Sequence, residues 1–572
     1  MTISTSSLRA HLLTSLLTLP NPHDLGLTIL VSEPKKTTSI FPHTPIPPKC
    51  LQQDFLVVLS SSLAEGEPSS DSSTDLPSSS QPAGSHNPPK QVLVSAISAN
   101  LYTFPSSINT SSSILYISKI DSSGYSPSAL PLTRLLIVSF LNYFLIQLNN
   151  VRIQLFARSQ NQYLFANSSN SGKKKVLSGA GLCRWWKNVY EESVISYIKS
   201  RSERSSVSIS SEGNEKEEGG TAEGIRLNYL LPGYEQVESI NLLGKGKDLP
   251  EGLKWEYKPP FNTPLSSSSS STSKNLPPSL ATLIPSLPDD PKTRFLEELV
   301  TDHFQQHQST NPLKRQIQRS SAPSTTDPAQ NGSSATTTRK TKKELDMEEE
   351  LSQRQASHLA LSKIDRNEFW ERIGFRQECA GDVTGFFTLE MSRNEGKTSR
   401  GKDVARDNGQ EATTENGSNT TGPAHTVETV NTITSLDPES KPVADSSCTT
   451  EEGKKEIPIP TTTPPASDAP ILSTKEPLPL LRIEIINRLL TALTNLDFAN
   501  LTLAIEGSEI WLKQVRSIVR GEIGEEGCDG CSGVIPRKEG LSENENGGGL
   551  VRKDRVEEKV TMLMPRKKKK VN

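Results

Sequence analysis

Long polar tracts divide this chain into short apolar islands, and this alternation limits what the chain can fold into. The longest tract, residues 393–476, is biased toward Thr, Glu, Gly, Pro and Asn. Shorter tracts lie at about 64–90, 202–222, 264–275 and 307–345. Only 33% of the 572 residues are hydrophobic, whereas Gly and Pro number 35 and 40. Such segments cannot bury enough apolar surface to offset the entropy lost on ordering, so we predict that they are disordered insertions.

The apolar islands lie on both sides of the tracts, so we expect them to fold together as one domain. Residues 1–392 would form its N-terminal and central parts, and residues 477–520 its C-terminal helices. Residues 393–476 would be an insertion, and residues 521–572 a mobile segment with a basic tail. The expected fold class is α+β (α/β), a single domain with a central mixed sheet surrounded by helices and interrupted by long disordered insertions.

Periodicity predicts strands mainly in the N-terminal half and mostly helices after it. The predicted strands cover residues 53–63, 92–104, 113–121, 151–158 and 386–391. The predicted helices cover residues 6–19, 133–148, 181–194, 292–304, 346–377, 478–495 and 497–520. The segment between residues 163 and 175 reads as a turn-rich loop.

Charge, cysteine content and apolar runs exclude several classes of protein. The net charge of −3 predicts no partner by itself, but the C-terminus, PRKKKK, is strongly basic. Six scattered cysteines indicate a reduced, intracellular protein, and the N-terminus lacks the pattern of a signal peptide. The longest apolar run, Leu135–Leu145, is interrupted by polar residues and is too short to cross a bilayer, so we expect no membrane contact.

The usual patterns of metal and nucleotide sites are missing. Cys528 and Cys531 form a lone CxxC with no second pair nearby, and the eight His residues show no regular pairing. The Gly244-Lys245-Gly246 stretch lacks the P-loop pattern. We therefore expect no metal site.

The most informative island is Phe156–Trp186, which is rich in aromatic residues in a chain where they make up only 5%. It also holds the triplet Lys173–Lys175 and the pair Trp185 and Trp186. Aromatic faces beside clustered ammonium groups suit a flat ligand that carries phosphates. The alternatives are a solvated loop for the lysines, and one core and one surface residue for the tryptophans.

A second island, LPDDPKTRF, places Asp289 and Asp290 beside Lys292 and Arg294. Paired carboxylates next to cations are candidates for acid–base chemistry. The same residues also fit a helix start, with acids favoured by the helix dipole and Pro291 in the first helical position. The two roles are compatible.

These islands resemble the fungal histone acetyltransferase family that modifies lysine 56 of histone H3, which is related to the CBP-type coactivator acetyltransferases. The resemblance covers about half of the chain as ordered short blocks. The blocks are SKIDSSGY, SPSALPLTR, FARSQNQYLF, KKKVL, RWWKNV, LPDDPKTRF, FWERIGFRQE, residues 487–511 and MLMPRKKKKVN. The Arg/Gln-x-x-Gly-x-Gly/Ala loop of the commonest acetyltransferase superfamily is absent, so acetyl-CoA would be bound by another architecture.

The resemblance implies acetyl-CoA as cosubstrate and a set of site residues. The implied catalytic residues are Asp290, Asp289, Trp186 and Asp121. The implied cofactor-binding residues are Ile120, Asp121, Ser122, Leu130, Thr133, Arg134, Phe156, Gln160, Tyr163, Lys175, Val176, Leu177, Trp185 and Arg294. Lys292 is the lysine that would become autoacetylated.

The chemistry of these residues fits lysine acetylation. A lysine amine must be neutral to attack a thioester, yet at pH 7 only about one in a few thousand is neutral. A positioned carboxylate can accept the proton, and Asp290 is the leading candidate. Asp289 would raise the proton affinity of Asp290, whereas Lys292 would lower it. Trp186 would form an apolar wall for the lysine stem.

The resemblance also implies partners and a place in the cell. Substrates would be histone H3, with H4, held by histone chaperones in the nucleus, linked to replication-coupled nucleosome assembly and the DNA damage response. We expect no sequence-specific binding of nucleic acid. One alternative is a non-enzymatic chromatin scaffold with a degenerate acetyltransferase domain. Another is a CoA-dependent acyltransferase for small molecules, which the polar tracts and the basic tail disfavour.

Overall fold

A computed structural model defines the fold of the described part of the chain. The described residues are 5–20, 24–63, 90–105, 111–127, 130–208, 224–261, 278–309, 342–393 and 479–535. They all belong to one compact unit. The predicted insertion at 394–476 and the basic tail lie outside these residues, as do 64–89, 209–222, 264–275 and 310–341.

The described residues form eleven strands and eleven α-helices. The strands are β1 Leu25–Ser32, β2 Lys35–Thr37, β3 Cys50–Ser62, β4 Gln91–Phe104, β5 Ser112–Ser122, β6 Asn150–Ala157, β7 Ile225–Leu230, β8 Trp255–Tyr257, β9 Gly385–Ser392, β10 Leu480–Leu481 and β11 Ser532–Ile535. The helices are α1 Thr5–Leu16, α2 Leu132–Gln147, α3 Gly179–Ser208, α4 Gln236–Leu243, α5 Leu280–Leu283, α6 Pro291–Ser309, α7 Lys342–Ser362, α8 Arg366–Ile373, α9 Gln377–Ala380, α10 Ile483–Thr494 and α11 Leu501–Cys531. No helix in these ranges is long and apolar enough to cross a membrane.

All strands join one mixed sheet. Nine of them follow the order β10-β1-β3-β4-β5-β6-β9-β7-β8, while β11 pairs with β1 and β2 pairs with β3. The pairs β1–β10, β5–β6 and β7–β8 are parallel and the others antiparallel. The parallel neighbours β5 and β6 are connected through α2, as a parallel crossover requires. The expected α+β fold with a central mixed sheet surrounded by helices is confirmed.

One face of the sheet holds the main core. Helix α2 is apolar almost all around, which is typical of a buried helix. Its rings Phe140 and Phe144 pack edge-on against Phe55 of β3. Trp511 of α11 is fully buried in the same cluster, and its indole N–H donates to the Leu489 carbonyl at 3.0 Å.

The opposite face carries two smaller apolar clusters. One cluster joins α5, α6 and α8 to the sheet and contains Phe261, Phe369 and Phe386. The other packs Leu287, just before α6, against Tyr116 and neighbouring strand residues. The acid-rich segment at the start of α6 therefore lies on this face of the sheet.

The structure changes several predicted boundaries. The predicted helix 346–377 is divided into α7 and α8, because the Asp365 carboxylate accepts the N–H groups of Asn367 and Glu368 and starts a new helix there. Helix α3 continues to Ser208, into a tract predicted to be disordered. The last predicted helix, 497–520, begins at Leu501, and the helical segment extends to Cys531 across a kink at Gly524, where φ is 80°.

Other differences concern missed or shifted ends. Strand β1 was not predicted, although its run of Leu, Ile and Val is typical of a buried strand. Helix α6 runs to 309 and α7 begins at 342, both inside the tract predicted at 307–345. Strand β11 lies within the segment predicted to be mobile and pairs with β1.

The C-terminal helices are tied to the first part of the chain by hydrogen bonds. The Tyr125 hydroxyl donates to the Phe498 carbonyl at 3.2 Å, across 373 residues of sequence. The N–H of Phe498 donates to the Ala166 carbonyl at 2.9 Å. The Ser508 hydroxyl accepts the N–H of Leu93 at 2.9 Å. These contacts connect the end of the chain to the strands and loop that carry Asp121.

Candidate active site

Asp121, at the end of β5, anchors one half of the candidate site. Its Oδ2 atom accepts the backbone N–H groups of Tyr163, Leu164 and Phe165 at 2.8, 2.9 and 3.1 Å. Its Oδ1 atom accepts the N–H of Ser122 at 2.9 Å. Hydrogen bonds to an ionised acceptor are strong, so this carboxylate holds the 163–165 turn against the sheet.

Lys174 is the partner of this buried carboxylate. Its Nζ atom lies 2.6 Å from Oδ1 of Asp121 and donates to the Ser168 hydroxyl at 2.9 Å. The two charged side chains are only 7% and 4% exposed, whereas Lys173 and Lys175 are exposed. The middle lysine of the triplet is therefore internal. The Asp121 carboxylate thus accepts hydrogen bonds from four backbone N–H groups and the Lys174 ammonium, and it positions the loop of residues 163–165. A part of Asp121 in catalysis stays a prediction.

Gly124 allows the loop to reach this position. Its φ angle is +88°, and a Cβ atom there would lie 2.7 Å from the backbone nitrogen of Lys174. A backbone in the left-handed region at such close approach requires glycine.

Gly124→Ala is expected to lower the free energy of unfolding by about 2–3 kcal/mol, because it adds backbone strain and a backbone clash. Gly172→Ala is the matched control, since Gly172 also has a positive φ of 66° but no neighbouring atom lies within 4 Å of the position that a Cβ atom would take there. It should cost about 1 kcal/mol. Urea unfolding measures both, and equal losses would contradict the close approach.

The second half of the site is the acid segment before α6. The Oδ1 atom of Asp290 accepts the N–H of Lys292 at 3.0 Å, so Asp290 caps the helix and Pro291 follows in the first helical position. The expected helix start is confirmed. The Oδ2 atom of Asp290 also pairs with the Lys292 ammonium, and the two side chains are 0% and 3% exposed. Asp290 and Lys292 thus form a buried ion pair.

Asp289 has a different environment from its neighbour. Its side chain is 62% exposed, its φ angle is +56°, and its carboxylate lies 3.0 Å from the Lys119 ammonium. The positive φ of Asp289 turns the chain sharply just before α6 begins at Pro291. As a result, one acid of the pair faces solvent and the other is buried.

A β-bulge directs two strand residues to the acid pair. One extra residue, Ser118, interrupts the register between β4 and β5. Strict alternation would place Tyr116 and Lys119 on opposite faces, but the bulge puts them on the same face. Lys119 reaches Asp289 there, and Tyr116 lies beside Asp290. Burial, and then the two nearby carboxylates, raise the pKa of Tyr116 well above its usual value, so its phenol stays protonated.

Aromatic rings surround the Lys292 ammonium. Its Nζ atom lies 4.6 Å from the centroid of the Phe386 ring and 5.5 Å from that of Phe261. Phe156, a predicted cofactor residue, packs on Phe386 at 4.7 Å. Burial lowers the pKa of Lys292, and the nearby Asp290 carboxylate opposes this shift. An amine in this setting loses its proton more readily than a lysine in water.

The tryptophan pair lies on α3. The rings of Trp185 and Trp186 meet edge-on with centroids 4.9 Å apart. Trp186 is buried in the main core and also contacts Tyr190, whereas Trp185 is half-buried. Their burial matches the alternative of one core and one more exposed tryptophan. It is compatible with Trp185 covering a bound cofactor.

The other predicted cofactor residues differ in exposure and partners. Arg134 pairs with Glu192 at 2.7 Å, and Arg294 pairs with Glu378 at 3.2 Å. Gln160, Lys175 and Val176 are exposed, while Ile120, Ser122, Leu130, Thr133, Tyr163 and Leu177 are half-buried. Both arginines therefore have carboxylate partners that a cofactor phosphate would have to displace or share.

The described thiols near the site are poor nucleophiles. Burial raises the pKa of Cys183, next to the tryptophan pair, to about 12. Burial also raises the pKa of Cys379 to about 11. Both thiols stay protonated near neutral pH, which disfavours a covalent acetyl-enzyme on either of them.

Within the described ranges, no group of three or more His, Cys, Asp or Glu residues is placed to hold a metal ion. Only the backbone of Cys528 is described, so the CxxC pair has no described geometry.

Comparison with known proteins assigns the chain to a family. The family model of the KAT11-type histone acetyltransferase domain matches residues 138–455, more than half of the chain. The chain belongs to the KAT11-type histone acetyltransferase domain family. The match includes the tryptophan pair and the acid segment of this KAT11-type domain, whereas Lys119 and Asp121 precede it. The resemblance to a fungal histone acetyltransferase family is confirmed.

The chain is also similar to two fungal proteins named histone acetyltransferase rtt109. Over 302 residues the chain is 26% identical to histone acetyltransferase rtt109 of Schizosaccharomyces pombe, covering 52% of this chain and 57% of that protein. Over 298 residues it is 28% identical to histone acetyltransferase rtt109 of Aspergillus flavus, covering 49% and 42%. The chain thus spans about half the length of these curated relatives. The crystal structure of Rtt109 from Aspergillus fumigatus is 20% identical with a TM-score of 0.49, covering 88% of this chain and 95% of that one.

Several residues at this KAT11-type site were missed from the sequence. Lys174 was grouped with its exposed neighbours, because identical residues in a triplet do not reveal which one points inward. Tyr116 lies just before the block SKIDSSGY and Lys119 lies within it, but alternation does not predict the bulge that puts both on one face. Phe261 contacts Lys292 from a distant segment, and no sequence pattern marks it.

Proposed function

We propose that this protein transfers the acetyl group of acetyl-CoA to lysine side chains of histones. The observation that carries the proposal is the buried Asp290–Lys292 pair beside the exposed Asp289, in a member of the KAT11-type family. This arrangement supports the proposal, because a carboxylate that could accept a proton lies beside a lysine with a lowered pKa.

In the proposed mechanism, acetyl-CoA supplies the activated acyl group and the protein handles the proton. Phe156, Tyr163 and Trp185 would pack along the cofactor, as the resemblance implies. Trp186 would exclude water from the lysine stem. Asp290 would accept the proton that the substrate amine loses, directly or through water.

Autoacetylation of Lys292 would prepare Asp290 for this role. While Lys292 is charged, its ammonium balances the negative charge of the Asp290 carboxylate. It therefore competes with a proton for binding to that carboxylate. Acetylation removes that positive charge, while the carboxylate keeps the hydrogen bond from the backbone N–H of Lys292. Asp289, which is exposed and paired with Lys119, would meet the cationic substrate lysine first.

The substrate is proposed to be histone H3, with H4, presented by a histone chaperone in the nucleus. Lysine 56 of H3 is the preferred target that the resemblance implies, and the biological setting would be replication-coupled nucleosome assembly and the DNA damage response. These finer assignments rest on the resemblance.

The test is incubation of the full chain with labelled acetyl-CoA, first alone and then with H3–H4, with and without a chaperone. We expect label on Lys292 without substrate, and label on H3 when histones are added. Lys292→Arg is the control for label at that position. Histone binding without transfer of label, in the presence of bound acetyl-CoA, would favour the scaffold instead.

The basic tail, Arg566–Lys570, is proposed to engage acidic surfaces of the chaperone in addition to any role in nuclear import. Replacing these five residues with Ala should slow acetylation of chaperone-bound H3, most strongly at low salt. The effect should fade as salt rises, because the Debye length shortens to about 8 Å at 0.15 M. Initial rates across a salt series measure this.

Autoacetylation of Lys292 is the internal control for the tail variant and should stay unchanged. If the tailless protein acetylates the chaperone complex at the full rate at every salt concentration, the tail acts only in import.

A further inference from the structure

Gln154, in the middle of β6, has a buried side-chain amide. The residue is 2% exposed, and among the described residues neither its Nε2 nor its Oε1 atom has a partner. Leaving both ends of a buried amide unpaired costs free energy, so native proteins rarely retain such a group without a use for it.

The position of Gln154 follows from its neighbours on the strand. Arg152, Gln154 and Phe156 share one face of β6, because side chains alternate. The Arg152 guanidinium lies 5.5 Å from the centroid of Phe261, and Phe156 packs on Phe386. On this face of β6, Gln154 therefore lies between a residue near the Phe261 ring and a residue that packs on the Phe386 ring.

Those two rings are the ones that the Lys292 ammonium contacts. Its Nζ atom lies 5.5 Å from the centroid of Phe261 and 4.6 Å from that of Phe386. The strand register also pairs Gln154 with Tyr116, which lies beside Asp290. The ring contacts and the strand register thus put Gln154 on the face of the sheet that carries the Asp290–Lys292 pair.

Acetylation of Lys292 would create a group that matches this amide. In the transfer, the bond between Nζ and the acetyl carbon forms while the thioester C–S bond breaks. Of the two protons that the ammonium loses, one ends on the thiol of CoA and the other passes to water. The product is a neutral acetamide with one N–H donor and one carbonyl acceptor.

We propose that Gln154 binds the acetyl group of acetylated Lys292. The Nε2 amide of Gln154 donates to the acetyl carbonyl, while the acetamide N–H donates to Asp290, and Phe261 and Phe386 enclose the methyl group. The modified side chain is then satisfied inside the protein, and the acetylated state is held in place. This inference rests on the proposed autoacetylation and extends it to a specific binding residue.

The test compares Gln154→Met in two forms of the full chain. One form carries N-acetyllysine incorporated at position 292 during translation, and the other is unacetylated as verified by intact mass. Because the acetyl group is installed during synthesis, the test works even if the chain does not acetylate itself. Gln154→Met should raise or preserve the melting temperature of the unacetylated form and lower that of the acetylated form by roughly 2–4 °C.

The matched control is Gln53→Met, at a buried glutamine on β3 whose Nε2 already donates to the Ser32 carbonyl at 3.2 Å. It should lower the melting temperature of both forms equally. An equal effect of Gln154→Met on both forms would overturn the proposal.

A second measurement does not depend on stability. With a ¹³C-labelled acetyl carbonyl at position 292, the carbonyl stretch in the infrared difference spectrum should move to higher frequency in Gln154→Met, because a hydrogen bond is lost. An unchanged frequency would show that the acetyl carbonyl has another partner and would also overturn the proposal.

Discussion

Lys174→Met should lower the free energy of unfolding by about 3 kcal/mol, because it leaves the carboxylate of Asp121 charged and buried without its cation. The two side chains are 7% and 4% exposed, so solvent cannot replace the lost partner. The loop held by that carboxylate, residues 163–165, should loosen as well. Acetyl-CoA affinity is therefore expected to fall together with stability. Urea unfolding and isothermal titration calorimetry measure the two effects.

The neighbouring lysine supplies the control. Lys173→Met removes the same charge from an exposed position and should change stability by no more than about 0.5 kcal/mol. The double variant Asp121→Asn with Lys174→Met should recover part of the loss, since no uncompensated charge remains. Equal behaviour of Lys174→Met and Lys173→Met would contradict the internal ion pair.

Asp290→Asn is expected to lower turnover at saturating acetyl-CoA by about 10²-fold or more, with a much smaller change in acetyl-CoA affinity. Asparagine is as good a helix cap as aspartate, so the hydrogen bond to the N–H of Lys292 is retained. The substitution removes the charge that would take the substrate proton and leaves the helix start intact. Steady-state kinetics with histones and cofactor titration separate the two quantities.

Asp289→Asn is the companion variant. It breaks only the exposed pair with Lys119, which is worth at most about 1 kcal/mol, so stability should barely change. We expect a higher KM for histone with a smaller loss of turnover than in Asp290→Asn. Near-wild-type turnover of Asp290→Asn would remove Asp290 from the proposed role in proton transfer.

The parts of this protein that could be predicted from the sequence are those that local chemistry determines. The alternation of VRIQLFAR predicts a buried strand, and β6 occupies that segment. The apolar run that begins near Leu132 predicts a buried helix, which is α2. The start of α6 was also predicted, because Asp290 and Pro291 are the residues that begin helices.

The rest depends on contacts between distant segments. Lys174 points inward because Gly124, in a distant part of the sequence, lets the two backbones approach closely. Lys119 reaches Asp289 because of a one-residue bulge that leaves no mark in the sequence. The break at Asp365 is an exception, since Asp365 followed by Glu368 is a recognisable helix-start pattern that could have divided the predicted helix.

The hydrogen bonds of Phe498 have a consequence for biosynthesis. Tyr125 and Ala166 lie on either side of the 163–165 loop that Asp121 holds. Both form hydrogen bonds with Phe498, which the ribosome adds more than 300 residues later. A nascent chain would display the tryptophan pair and the acid segment well before those bonds could form. Contacts so distant in sequence form late in folding, so translation must pass residue 498 before the loop can be fixed. A partly made chain that ends before residue 498 therefore lacks the two hydrogen bonds that fix this loop.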